Sequence, residues 1–302
     1  MSDIKLFQVD SGNATELPGE AEALERSLQT LVERNLETML GVTFLGSEYL
    51  TGKKHGGRID TIGIDENNGP VIIEYKRSTN ENVINQGLFY LDWLLDHRAE
   101  FQLLVLERLG KDRADRIDWS APRLLCIAGG FTRYDEHAVA QMDRNIELIR
   151  YRRFGAALLL FELVNATTST SESSEASGQG SPYTSKTIAQ VLTELSGPVA
   201  DLYEELRAYL LALGDDVQEK TLKYYVAFKR IKNFACVEVH ASKGAVTTYL
   251  KVDPETVTLE EGFSRDVRTI GHYGTGDLEV TLRSRGDLER AKALIEKSYE
   301  VS

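Results

Sequence analysis

Residues 165–186, NATTSTSESSEASGQGSPYTSK, are almost entirely Ser, Thr, Gly and Glu and offer nearly nothing to bury. A segment of that composition cannot offset its ordering entropy by packing, so it is expected to be a flexible linker. It forces the 302-residue chain to fold as two units, 1–164 and 187–302, each with its own core. Two domains also fit the length.

Composition narrows the class. The chain is 42% hydrophobic and 27% charged, as in ordinary globular proteins. No run reaches the ~20 apolar residues of a membrane helix; the longest candidate, FGAALLLFELV at 154–164, reads as a buried strand. The start, MSDIKLFQVDSG, lacks the basic and apolar regions of a signal peptide. Cys126 and Cys236 stand far apart with no paired cysteine ligands for zinc, which points to a reduced, cytoplasmic protein. With 35 basic against 47 acidic residues the net charge is −12, which excludes a general positive coat for nucleic acid. It leaves room for an acidic site neutralised by metal ions.

In the first unit, IKLFQV reads as a strand and Glu20–Leu40 as a helix, with Leu24, Leu28, Leu31 and Val32 at helical spacing. FLGSEYL, RIDTIGI and VIIEYKR read as strands, the last two joined by a loop at Glu66–Pro70. A helix is expected at 82–97, and FQLLVLERL is ambiguous between helix and strand. RLLCIAGGF reads as a strand, HAVAQMDRNIELIRYR as a helix and AALLLFELV as a final strand. Strands alternating with helices predict an α/β fold with a mixed central sheet flanked by helices. The second unit reads as a smaller α+β domain: helices at 187–213 and 217–232, a hairpin ACVEVHA/AVTTYLKV, a glycine-rich loop at 271–277, the strand LEVTLR and a closing helix at 286–299.

The hairpin of the first unit carries charge where a buried strand should not. Residues two apart share a face, so Glu74 and Lys76 project together. With a five-residue loop, Asp60 falls opposite Lys76 and diagonal to Glu74. Buried charge needs compensation. Lys76 can neutralise one acid, and a hard cation such as Mg²⁺, which takes one or two carboxylates and keeps several waters, the rest. A plain structural ion pair, Asp60–Lys76 or Glu74–Lys76, is the competing account.

Gly57-Arg58-Ile59-Asp60, then Val71-Ile72-Ile73-Glu74-Tyr75-Lys76-Arg77, then Gln86 opening a helix, resemble the PD-(D/E)xK nuclease superfamily, whose fold is restriction-endonuclease-like. The similar branch contains the C-terminal domain of the archaeal-type mismatch-specific endonuclease. The upstream LVERNLETMLG and SEY resemble it too, and the likeness covers roughly residues 20–105. Ile59 stands where the superfamily often has proline. The C-terminal unit resembles an uncharacterised prokaryotic family that follows such nuclease domains. Some of its relatives are labelled "predicted transport protein", a role the missing membrane segments do not support.

The resemblance implies a nuclease hydrolysing DNA phosphodiesters with Mg²⁺ or Mn²⁺, in genome defence or repair, with DNA as partner and a homodimer as one option. Asp60 and Glu74 would ligate the metal, with the Tyr75 backbone carbonyl as third ligand. Lys76 would orient the attacking water or stabilise developing charge, and Gln86 would position Lys76 or a phosphate. Glu33 is the accessory acid of choice, with Glu37 its competitor. Arg58 and Arg77 flank the site as phosphate clamps or as solvated surface. His55 is a loop histidine with a weaker claim on substrate. Tyr90 and Trp93 read as core, and Asp65 as a turn residue. In KTLKYYVAFKRIK, read as a helix, Tyr224, Phe228 and Ile231 form a packing stripe, and Lys220, Lys223 and Arg230 form a face that is either solvated or gripping a backbone. A catalytically inactive nuclease-fold binding module, and a scaffold serving a C-terminal unit that binds protein or a small molecule, are the other readings.

Overall fold

The structure, a computed structural model, describes residues 4–21, 25–52, 56–77, 83–120, 122–167 and 186–302. The chain divides into two compact units, 1–173 and 174–302. The expected linker lies outside the described residues over 168–185, as does His55; Asn165 and Ala166, at its start, still belong to a strand.

In the first unit, β1 (Leu6–Asp10) and β2 (Asn13–Leu17) form a two-stranded sheet, and β3 is the short Gly19–Glu20. The helix expected over 20–40 is two: α1 (Glu25–Arg34) and α2 (Leu36–Leu40). Asn35 breaks them, its side chain donating to the Leu31 carbonyl at 2.8 Å and so satisfying an orphan acceptor at the end of α1. Then come β4 (Val42–Leu50), β5 (Arg58–Asp65), β6 (Pro70–Lys76), α3 (Val83–Asp96), α4 (Arg98–Leu109), α5 (Lys111–Ala114), β7 (Arg123–Ala128), α6 (Arg133–Ala140), β8 (Asn145–Phe154) and β9 (Leu158–Ala166).

These strands make a mixed sheet in the order β3-β8-β7-β6-β5-β4, with β9 on the other side of β8. Its centre, β6-β7-β8, is parallel, and β4-β5-β6 is an antiparallel meander. Parallel neighbours require a crossover, and α3 provides it, packing on β6 and β7 through Val83, Leu91, Trp93 and Leu94. The ambiguous FQLLVLERL is helical, within α4. The helix expected at HAVAQMDRNIELIRYR stops at Ala140; from Asn145 the chain is strand β8, buried on both faces from Asn145 to Tyr151. A strand covered on both sides loses its alternation, which is why its pattern passed for a helix.

The loop between the last paired residues, Ile64 and Pro70, is 65–69, the expected length but one residue earlier than the expected 66–70. Ile64 pairs with Pro70 and Thr61 with Ile73, which sets Asp60 opposite Glu74 and diagonal to Lys76. Asp65 caps the loop: its Oδ1 accepts the Asn67 and Gly69 N–H groups, both at 2.8 Å. Its other oxygen, 3.0 Å away, receives Arg123, which also grips Glu147 with two nitrogens at 2.8 and 2.9 Å. All three side chains are buried, tying the hairpin loop to β7 and β8.

The second unit has α7 (Ile188–Glu194), α8 (Pro198–Leu211), β10 (Gln218–Thr221), β11 (Val226–Lys229), β12 (Asn233–His240), β13 (Ala245–Leu250), β14 (Ser264–Asp266), β15 (Leu278–Leu282) and α9 (Arg285–Glu300). Its antiparallel sheet runs β10-β11-β12-β13-β15-β14. Leu206, Leu210, Leu288 and Ile295 of α8 and α9 pack on Val226, Phe228, Val237 and Val280. The expected helix at 217–232 is instead a β-hairpin. Val226 and Phe228 face the helices, while Tyr225 and Ala227 join Cys236, Tyr249 and Val267 on the other face. With a core on each side, period-two burial wins over the helical spacing of the same apolar residues. The stretch at 271–277, expected to form turns, runs as bends and irregular chain. Among the described residues no helix is long and apolar enough to cross a membrane.

Candidate active site

The backbone ladder between β5 and β6 ends at Thr61–Ile73, and the two acids sit immediately beyond it. Where strand pairing stops, side chains take over. The Tyr75 N–H donates to Asp60 Oδ2 at 3.0 Å, and the Asp60 N–H donates to Glu74 Oε1 at 3.2 Å. The carboxylates thus fill the gap between parting strands. Alternation places Glu74 beside Ile72 on the face covered by α3, and its ladder partner on β7 is Cys126, also in that core.

Glu74 is fully buried, and its Oε2 has no hydrogen-bond partner among the described residues. Burial first, and then the Asp60 charge, push its carboxyl up to about 9. Asp60 is raised as well, chiefly by burial; the Tyr75 N–H and the Lys76 ammonium pull against that. Burial, and after it the Glu74 charge, also raises the Cys126 thiol. Two adjacent carboxyls, one with a buried oxygen unpaired among the described residues, form a site short of positive charge.

Lys76 extends this face, only 15% of its side chain exposed, and its Nζ lies 3.2 Å from Glu25 Oε1. The other Glu25 oxygen receives the Arg77 N–H at 3.3 Å. Glu25, at the first turn of α1, is the helix acid that reaches the lysine, and the sequence reading missed it. Its only signal was an acid at the start of the helix, where acids are common for dipole reasons alone.

Glu33, the preferred accessory acid, is not brought to Asp60 and Glu74. Its Oε1 accepts from the Thr61 hydroxyl at 2.6 Å and from Gln29 Nε2 at 3.1 Å. Thr61, next to Asp60 in the strand, points to the opposite face. Glu37, its competitor, is exposed on α2. Gln86 is half-buried in the first turn of α3. Arg58 is exposed and ion-paired with Glu48, and Arg77 is exposed. Tyr90 and Trp93 are core, 6% and 1% exposed, and the Tyr90 hydroxyl accepts the Arg58 N–H at 3.1 Å.

The basic face expected in the second unit does not form. Lys220 is buried in β10, and Arg230 pairs with Asp216 at 2.8 Å while lying over the Tyr299 ring. Lys223, exposed, lies over the Tyr224 ring, which stacks on Tyr273.

Among the described residues no group of three or more His, Cys, Asp or Glu side chains is placed to hold a metal ion. A pair remains, Asp60 and Glu74. Two carboxylates, one with an unsatisfied buried oxygen, fit Mg²⁺, which needs few protein ligands and retains water.

A protein family, Domain of unknown function (DUF5655), matches residues 188–302. An uncharacterized protein of Haemophilus influenzae is 27% identical over 309 residues, covering 98% of this chain and 100% of that one. Among solved structures, a repair endonuclease from Pyrococcus abyssi aligns with a TM-score of 0.29 at 17% identity, over 43% of this chain and 49% of that one. A complex of EndoMS with double-stranded DNA aligns with a TM-score of 0.25 at 19% identity, over 43% and 47%. The matched region is thus about half of each of those two chains.

Proposed function

We propose that the first unit is a metal-dependent nuclease that hydrolyses DNA phosphodiester bonds, in a repair or defence role. The observation that carries this reading is the buried Asp60–Glu74 pair with its orphaned Glu74 Oε2, set at the end of a strand ladder with Lys76 two residues on. The Lys76 charge acts on both acids and its Nζ also lies 3.2 Å from Glu25, yet Glu74 Oε2 has no hydrogen-bond partner among the described residues. A buried carboxyl raised well above its ordinary pKa beside a second acid is the pattern that sites for a ligand show.

Asp60 and Glu74 would hold Mg²⁺ or Mn²⁺, with the Tyr75 carbonyl as a third donor. The bound ion supplies Lewis-acid polarisation of the phosphate and a water of lowered pKa. Lys76 presents an ammonium to the oxygens on which charge develops, where a fixed cation in a low-dielectric site is most effective. Gln86, half-buried in the first turn of α3, would offer an amide to Lys76 or to a phosphate. Glu25, now paired with Lys76, holds the ammonium at the strand end until substrate arrives. Arg58 and Arg77 flank the entrance as candidate phosphate contacts.

The test is cleavage of plasmid, linear, single-stranded and mismatched DNA with Mg²⁺, Mn²⁺ or EDTA, wild type beside Glu74→Ala and Lys76→Ala. Metal-dependent cutting abolished by both substitutions is the expected result. DNA binding without cutting of any substrate would replace the reading with a binding module of nuclease fold. Neither binding nor cutting would move the question to the second unit.

A further inference from the structure

On the face of the sheet opposite Asp60 and Glu74, α1 packs through Leu28 and Val32 but also buries Gln29, 6% exposed. An apolar residue at that position would pack more cheaply, because a buried amide must find partners. Gln29 finds them in three elements. Its Nε2 lies 2.9 Å from the Asp60 carbonyl oxygen, 3.1 Å from Glu33 Oε1 and 3.3 Å from Ser47 Oγ on β4. One turn along α1, Glu33 takes the Thr61 hydroxyl at 2.6 Å, and the Tyr75 hydroxyl lies 3.4 Å from Thr61 Oγ1. Thr61 is fully buried.

These contacts fall at the point where the β5–β6 ladder stops. Past Thr61, no backbone pairing fixes Asp60 against Glu74. Two hydrogen bonds through their own carboxylates do so, and those carboxylates are the groups that would have to turn toward a metal ion. On their outer edges β5 stays paired with β4 through Ile59 and β6 with β7 through Lys76, so what is left for other contacts to set is the spacing across the gap.

We propose that Gln29, Glu33 and Thr61 form a positioning clamp that fixes the Asp60–Thr61 backbone to α1 and Tyr75 from the far face, keeping the two carboxylates at the spacing that lets them share one divalent cation. The proposal rests on the reading of Asp60 and Glu74 as metal-binding acids. It gives Glu33 a different task from the accessory acid expected of it: Glu33 grips Thr61 and never meets the ion. Supporting partners of this kind change metal affinity by roughly 10- to 100-fold when removed.

The experiment uses the full-length chain and the variants Thr61→Val, Thr61→Ser, Glu33→Leu and Glu33→Gln. Residue-resolved amide hydrogen exchange is measured in EDTA, and Mg²⁺ binding by calorimetry. Thr61→Val and Glu33→Leu should speed exchange of the Asp60 and Tyr75 amides at least about tenfold and weaken Mg²⁺ binding by about the same factor. The Ile62 and Ile73 amides should keep their protection. Thr61→Ser should restore both readouts, and Glu33→Gln, which keeps an acceptor oxygen for Thr61 but loses the charge, should stay near wild type. The clamp is overturned if the Asp60 and Tyr75 amides exchange as in wild type, or if exchange rises evenly across the sheet. It is equally overturned if Glu33→Gln loses Mg²⁺ as completely as Glu33→Leu, since the charge would then be what matters. Should wild type itself bind no Mg²⁺, the metal reading of the pair fails, and the exchange data alone decide whether the clamp holds Asp60.

Discussion

Replacing Glu74 by Gln should stabilise the metal-free protein at alkaline pH, an unusual outcome for a change at a fully buried residue. The Glu74 carboxyl rises from 4.5 in the unfolded chain to about 9 in the fold, so between those values the native state binds a proton that the unfolded state has released. Stability therefore falls as pH rises through this window. The contribution is whole below 4.5, erodes steadily above it, and levels off above 9. At 1.36 kcal/mol per unit, the full 4.5-unit shift is worth about 6 kcal/mol, and the part lost between pH 5 and pH 8 about 4 kcal/mol. That is a ceiling, because local opening admits water to the carboxylate. The introduced glutamine cannot ionise and keeps an oxygen for the Asp60 N–H, so most of this slope should vanish. Both tryptophans, Trp93 and Trp119, lie in the first unit and pack in its core, so their fluorescence reports that unit alone. Urea titrations in EDTA at pH 5, 6.5 and 8 would compare the two proteins. Glu74→Gln should overtake wild type by at least about 1–2 kcal/mol at pH 8, within that ceiling. Saturating Mg²⁺ should restore wild type, by about 2.7 kcal/mol at a hundred times Kd, and leave the variant unchanged. Parallel pH profiles for the two proteins would refute the reasoning, because the carboxyl would then be ionised within the fold at little cost.

Other substitutions probe the frame around the site. Arg123→Met strands Asp65 and Glu147 as buried acids, and should cost about 3–5 kcal/mol in the same tryptophan-monitored unfolding. Gly63→Ala puts a methyl 2.8 Å from the Thr43 carbonyl oxygen and 2.5 Å from a Val42 methyl; a loss of about 1–3 kcal/mol is expected, and a neutral result would mean that β4 shifts freely. In the second unit, Ser298 Oγ donates to the Phe234 carbonyl at 2.6 Å and accepts the Lys251 N–H at 2.7 Å. Ser298→Ala should cost about 1–3 kcal/mol, read in tyrosine near-ultraviolet dichroism because that unit has no tryptophan.

Much of the first unit was legible because its signals are local. The alternation of β5 and β6 around a turn-forming Asp65 places Asp60, Glu74 and Lys76 on one face. A one-residue error in the loop's position moved Asp60 from opposite Glu74 to opposite Lys76 without changing faces, since the mistake shifts the register by two. The accessory acid was not legible. Glu25, Glu33 and Glu37 lie on one short helical stretch, and which of them meets the lysine depends on how α1 crosses the sheet and where Asn35 ends it. No spacing encodes that crossing.

Sequence alone determined that the chain has two cores, that its first unit is a mixed α/β layer and that three charged residues share one face of a hairpin. Those properties follow from composition and from periods of two and 3.6, which act over a few neighbouring residues. Tertiary structure decided what was covered on both sides. It made 217–232 a hairpin, with Val226 and Phe228 in one core and Tyr225 and Ala227 in the other. It also gave Lys76 to Glu25 and Glu33 to Thr61. Each of these outcomes turns on burial against a partner distant in sequence, and burial is a property of the packed layers that no local pattern carries.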